Sequence, residues 1–192
     1  TDSMTPTMIS APPETMTNSF STSDMMGGAF GLEQPRFDNF PHPEGTCCAW
    51  VSSGRAALAC LLDNMPRPRR VLVPRLICDT ILEPLRRAQL PLIRYSCTEQ
   101  LEAIAPDDAD TGDLLLLVNY FGLTGDSVRA AALRHPGPVV VDATTSLYTP
   151  PLPGIPAFYS PRKFGGLCDG GIATAPFPLR SPKEADSSST RA

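Results

Sequence analysis

An α/β fold, a three-layer sandwich with a mostly parallel sheet, is predicted by two features of this chain. Short apolar runs alternate with segments of helical spacing. Two of the runs, LLLLVNYF (Leu114 to Phe121) and PVVVDA (Pro138 to Ala143), are apolar almost throughout, as strands covered on both faces must be.

The elements follow in order. Residues 1–26 are Thr, Ser, Met and Pro with almost no periodicity and read as a disordered leader. GRAALACLLDN (Gly54 to Asn64) has small and apolar residues at helical spacing, with Ser52 or Ser53 able to cap it and Pro66 and Pro68 ending it. VLVP (Val71 to Pro74) is a buried strand. Asp79 is expected to cap a helix through DTILEPLRRA, where Pro84 is tolerable only in the first turn or two. PLIRYS (Pro91 to Ser96) is the next strand, then the Leu114 to Phe121 run, a helix from Asp126 to His135, and the Pro138 to Ala143 strand. Phe158 to Ser160 and Gly171 to Thr174 are weaker strand candidates, and residues 179–192 read as a disordered tail. In such sheets ligands sit at the C-terminal strand ends, which selects Asn119-Tyr120, Asp142 and the turn before Gly54.

Bulk composition narrows the function. The chain has 192 residues and is 42% hydrophobic, enough for one domain. A net charge of −4 offers no basic field for nucleic acid. No apolar run spans a bilayer and no signal pattern opens the chain, so a cytoplasmic setting is expected. Six cysteines at 47, 48, 60, 78, 97 and 168 form no CxxC pair, and His42 and His135 are too few for a His-rich metal set. No GxGxxG follows a strand, which disfavours dinucleotide binding.

Three weak signals gain meaning from their order. VSSGRAAL feeds a Ser-Ser-Gly turn into a helix, a ready anion site, although the same turn is also an ordinary cap. Asp142 ends a buried strand and needs a cationic or protonated partner, unless it merely caps the turn through Ala143-Thr144. Lys163 is one of only two lysines among 16 cations, the other being Lys183. Arginine cannot lose its proton and attack a carbonyl; lysine can. An anion-binding helix start, a strand-end acid and a later lysine are what pyridoxal phosphate requires: a phosphate cradle, a partner for the ring nitrogen and an amine.

With GGAFGLEQP, SSGRAAL, VLVPRLICDTILEPL, LLLVNYFG, VVVDATTS and FYSPRKFGGLCDGG in view, the chain from Gly27 to Pro176 resembles the DegT/DnrJ/StrS-type aminotransferases, pyridoxal-phosphate-dependent enzymes of fold type I. The resemblance implies that residues 27–178 are a cofactor-binding large domain and that the family's small C-terminal domain is absent. It implies that Lys163 is the Schiff-base lysine and catalytic acid/base, that Asp142 partners the ring nitrogen, and that Ser53, Gly54 and Arg55 hold the phosphate. Asp169-Gly170-Gly171 matches the family's acid-Gly-Gly. The family's phosphate-binding Ser five residues before the lysine is Phe158 here, so Ser160, three before, is the candidate substitute. Where the family places a ring-stacking aromatic after the second-strand proline, Leu76, Ile77 and Cys78 stand, and Tyr120 or Phe121 could stack instead. The family's Gln or His three after the acid is Thr145. The implied activity is transfer of an amino group from an amino acid to a keto sugar, nucleotide-linked, by a homodimer. The alternative is an inactive remnant serving as a binding or dimerisation module.

Overall fold

The computed structural model describes residues 44–180. The expected leader, the GGAFGLEQP motif, Lys183 and residues 181–192 lie outside the described residues.

Eight strands form the sheet: β1 (Cys47–Val51), β2 (Arg70–Pro74), β3 (Leu92–Cys97), β4 (Ala103–Ile104), β5 (Asp113–Val118), β6 (Val139–Asp142), β7 (Ala157–Tyr159) and β8 (Gly171–Ala175). Their order is β1-β8-β7-β6-β5-β2-β3-β4. The run β7-β6-β5-β2-β3 is parallel throughout, whereas β8 and β4 pair antiparallel to their neighbours. β1 is antiparallel to β8 and so runs the same way as the parallel core.

Side chains alternate between two cores with the period of two that strands impose. Val71, Val73, Leu114, Leu116, Val140, Phe158 and Ala173 face α1 (Gly54–Asp63) and α2 (Leu82–Arg87). Leu72, Leu115, Leu117, Val141, Ala157, Tyr159 and Ile172 face the other way, onto α3 (Gly125–Arg134). β5 is the centre of this arrangement, buried from Asp113 to Leu117. Each such leucine contributes about 1.5–3 kcal/mol by leaving water.

Several expected boundaries are corrected. The fifth strand stops at Val118, because Asn119 leaves the extended region and Tyr120–Gly122 form a 3₁₀ turn. Asp79 does not cap the second helix: it begins a 3₁₀ turn, Asp79–Ile81, whose N-cap is Cys78 and has no side-chain capping bond. Pro84 sits in the first turn of α2, where its missing N–H costs nothing. Ser53, not Ser52, caps α1, its Oγ accepting from the Ala56 N–H at 3.2 Å. Leu179 packs against the α1 core, and Asn64 binds the Arg180 N–H at 2.9 Å. Among the described residues no helix is long and apolar enough to cross a membrane.

Candidate active site

The parallel strands and β1 all deliver their C-terminal ends to one edge of the sheet. A cavity of about 690 Å³ opens there. Ser53, Gly54, Arg55, Tyr120, Asp142, Thr145, Ser160 and Lys163 all line it, with Leu76, Ile77, Cys78, Phe121, Thr144 and Arg162. Every residue expected from the sequence to touch a cofactor therefore faces one space. Asn119 does not; it is buried among other side chains, bonded to Thr124.

The floor is built on β6. Asp142 is 4% exposed, and no ion pair reaches it among the described residues. Burial pushes its carboxyl up from the ordinary range; the Thr144 N–H and hydroxyl and the charge of Lys163 pull partly the other way. The Thr144 N–H donates to Oδ1 at 2.9 Å, so Asp142 does cap the turn that follows it while still lining the cavity. Lys163 ends a 3₁₀ turn (Pro161–Lys163) begun by a proline, whose fixed φ suits that place. Its Nζ donates to Thr144 Oγ1 at 2.9 Å. Thr144 thus joins the amine to the carboxylate, a role the pair Thr144-Thr145 does not reveal in sequence. Thr145 instead accepts from the Phe121 N–H at 3.3 Å.

One wall is the start of α1. Gly171 lies so close to the Ser53 carbonyl that a Cβ there would collide with it, and the Gly170 N–H donates to Ser52 O at 2.8 Å. The Asp-Gly-Gly segment and the Ser-Ser-Gly turn are thus packed backbone to backbone. Gly54 is less severely constrained: a Cβ on it would stand 3.1 Å from Thr144 Cγ2 and 3.5 Å from Ser160 Cβ. Neither the Gly54 nor the Arg55 N–H meets an acceptor among the described residues, as expected at a helix start. The Arg55 guanidinium reaches Glu83 at 2.7 Å, and Glu83 also holds Arg87 at 2.8 Å. Phe158 is fully buried in the core against α1, so the hydroxyl on that side of the cavity comes from Ser160.

The rim is apolar. Leu76 is 56% and Phe121 70% exposed. Phe121 has φ 56, a left-handed conformation uncommon for a bulky residue, and Gly122 follows with φ 78. Tyr120 is largely buried and donates its hydroxyl to Leu76 O at 2.6 Å, tying the end of β5 to the loop after β2. Cys78 also faces the cavity; its thiol is lowered by hydrogen bonding to Thr80 and by Lys163.

Solved structures share this architecture. The chain is similar to DesV of S. venezuelae, solved in complex with a ketimine intermediate, at 23% identity and TM-score 0.55, over 68% of this chain and 40% of that one. It is similar to the sugar aminotransferase CalS13 from Micromonospora echinospora at 19% identity and TM-score 0.55, over 68% and 42%. A phosphoserine aminotransferase from Cytophaga hutchinsonii matches at 15% identity and TM-score 0.52, over 69% and 40%. The chain spans about two fifths of the length of these proteins. These likenesses establish the fold, a mixed-sheet α/β sandwich shared with aminotransferases of fold type I. No family model matches the chain, and no curated protein matches it.

Proposed function

We propose that the cavity binds pyridoxal phosphate and that the chain is aminotransferase-like, moving an amino group from an amino acid to a keto sugar, nucleotide-linked. One observation carries the reading. A lysine amine and a buried carboxylate that no ion pair reaches among the described residues share one cavity, beside a helix start whose Gly54 and Arg55 N–H groups meet no acceptor among them. The residues fit the cofactor because each of its polar parts answers an unmet demand of the chain. A protonated ring nitrogen would satisfy Asp142. A phosphate would satisfy the first N–H groups of α1.

In this reading Ser53, Gly54 and Arg55 hold the phosphate, with the Ser160 hydroxyl as a further donor. Asp142 keeps the ring nitrogen protonated, and Tyr120 and Thr145 shape the wall beside it. When bound, the cofactor supplies an aldehyde that condenses with amines and a ring that accepts electrons. Lys163 then moves a proton at Nζ as general base and acid. Sugar specificity is supported by the aminotransferase neighbours, CalS13 among them. By the family resemblance the working form is a homodimer.

Titration with pyridoxal phosphate should produce a visible absorption band. Borohydride should then fix the cofactor to the peptide carrying Lys163, and Lys163→Ala should lose both signals. Absence of the band, or fixation elsewhere, overturns the reading.

A further inference from the structure

Thr144 links the two groups on which the proposed function depends. Its hydroxyl accepts from Lys163 Nζ at 2.9 Å, and its N–H donates to Asp142 Oδ1 at 2.9 Å. It is 4% exposed, and β-branching leaves its χ1 little freedom. Its methyl packs into the space that a side chain on Gly54 would need. With the methyl lodged against α1, the hydroxyl is left facing the amine.

We propose that the Thr144 hydroxyl is a positioning group, holding the Lys163 amine in the cavity and keeping it from pairing directly with the Asp142 carboxylate. This deepens, and rests on, the reading of the cavity as a pyridoxal phosphate site. No ion pair joins Lys163 to Asp142, although both line the same space. In a partly dry cavity a direct contact between them would be strong and would keep the amine protonated. An ammonium has no lone pair. Nζ can bond to an aldehyde carbon, whose oxygen leaves as water, only through that lone pair. Thr144 instead gives each group its own partner, the hydroxyl accepting from Nζ and the N–H donating to Oδ1, so neither needs the other. The other charged or titratable groups facing the cavity are Arg55, Arg162, Cys78 and Tyr120. None of them is hydrogen-bonded to Nζ.

The test compares the wild-type chain with Thr144→Val, Thr144→Ser, Asp142→Asn and the Asp142→Asn/Thr144→Val double variant. Each is mixed with pyridoxal phosphate, and separately with pyridoxal. The rate of band formation and of borohydride fixation at Lys163 is recorded. Thr144→Val, which keeps the branched shape, should slow capture of both aldehydes about tenfold. Thr144→Ser should restore the rate. On the Asp142→Asn background the valine should cost little, because no carboxylate remains to pair with the lysine. Thr144→Ala provides a second hydroxyl-free variant should the valine fail to fold. A wild-type rate in both hydroxyl-free variants overturns the proposal, as does failure of serine to rescue or an undiminished loss in the double variant. If the wild-type chain captures neither aldehyde, the cofactor reading fails and takes this inference with it.

Discussion

At the scale of single residues, Asp142 shows what a buried carboxyl costs the fold that carries it. Its carboxylate is buried on β6, hydrogen-bonded among the described residues to Thr144, and burial raises its proton affinity. The sign follows from linkage. A folded-state value above the unfolded one means the unfolded chain releases its proton first, so this group subtracts stability as pH rises above the ordinary carboxylate range. Asp142→Asn should therefore stabilise the cofactor-free protein by about 1 kcal/mol or more near neutrality. The gain should vanish near pH 3, where both states hold the proton. Paired thermal melts at the two pH values check this. Under the proposed function the same variant should also bind pyridoxal phosphate less productively, since a neutral amide would not keep a ring nitrogen charged.

Among the elements, the contact of β8 with the start of α1 is the most demanding. Gly171 has no room for a Cβ against the Ser53 carbonyl, and the same addition would stand 2.9 Å from the Gly54 nitrogen. Gly171→Ala must push the helix start away, and should destabilise the chain by about 3 kcal/mol in a denaturant melt and, under the proposed function, weaken cofactor binding. Gly125→Ala is the control. Nothing lies within 4 Å of a Cβ there, and it should be neutral or gain up to about 1 kcal/mol. The elements also differ in how far the sequence discloses them. β5 and β6 are legible because burial on both faces demands an unbroken apolar run. β1, reading CCAWV, is an edge strand with mixed burial, and β4 is two residues long; neither leaves a period to detect. That Gly54, Asp142 and Lys163 share one cavity is legible because each stands at a strand end or a turn where few residue types are at home. Thr144 is not, because which of two adjacent threonines faces the lysine is decided by the turn that Asp142 caps. Asn119 is misplaced from sequence because the strand ends at Val118, three residues before the apolar run does.

Over the whole molecule, the N-terminal edge of the sheet is held by charge. Asp113, fully buried at the start of β5, meets Arg69 and Arg70 at 2.9 Å each, and Arg69 and Arg70 also reach Asp110 at 2.7 Å and Asp108 at 3.1 Å. Burial alone would raise the Asp113 carboxyl, but hydrogen bonds from Arg70, the Asp110 N–H and Arg69 outweigh it and bring it down to about 2. A depressed folded-state value gives stability that is full above the ordinary value of 3.8 and lost as pH falls toward 2. Acid unfolding followed by circular dichroism should show this loss between about pH 4 and pH 2, and Asp113→Asn should remove that part of the pH dependence while lowering stability at neutrality.

Acid sensitivity and the proposed cofactor site thus occupy opposite rims of one sheet. β5 alone, with six residues, separates them by roughly 20 Å. Perturbations at that range, with no shared partners, combine by simple addition. An engineer could harden the lower rim against acid without retuning the upper one, and a lineage could let the upper rim drift toward new chemistry while the lower kept the chain folded.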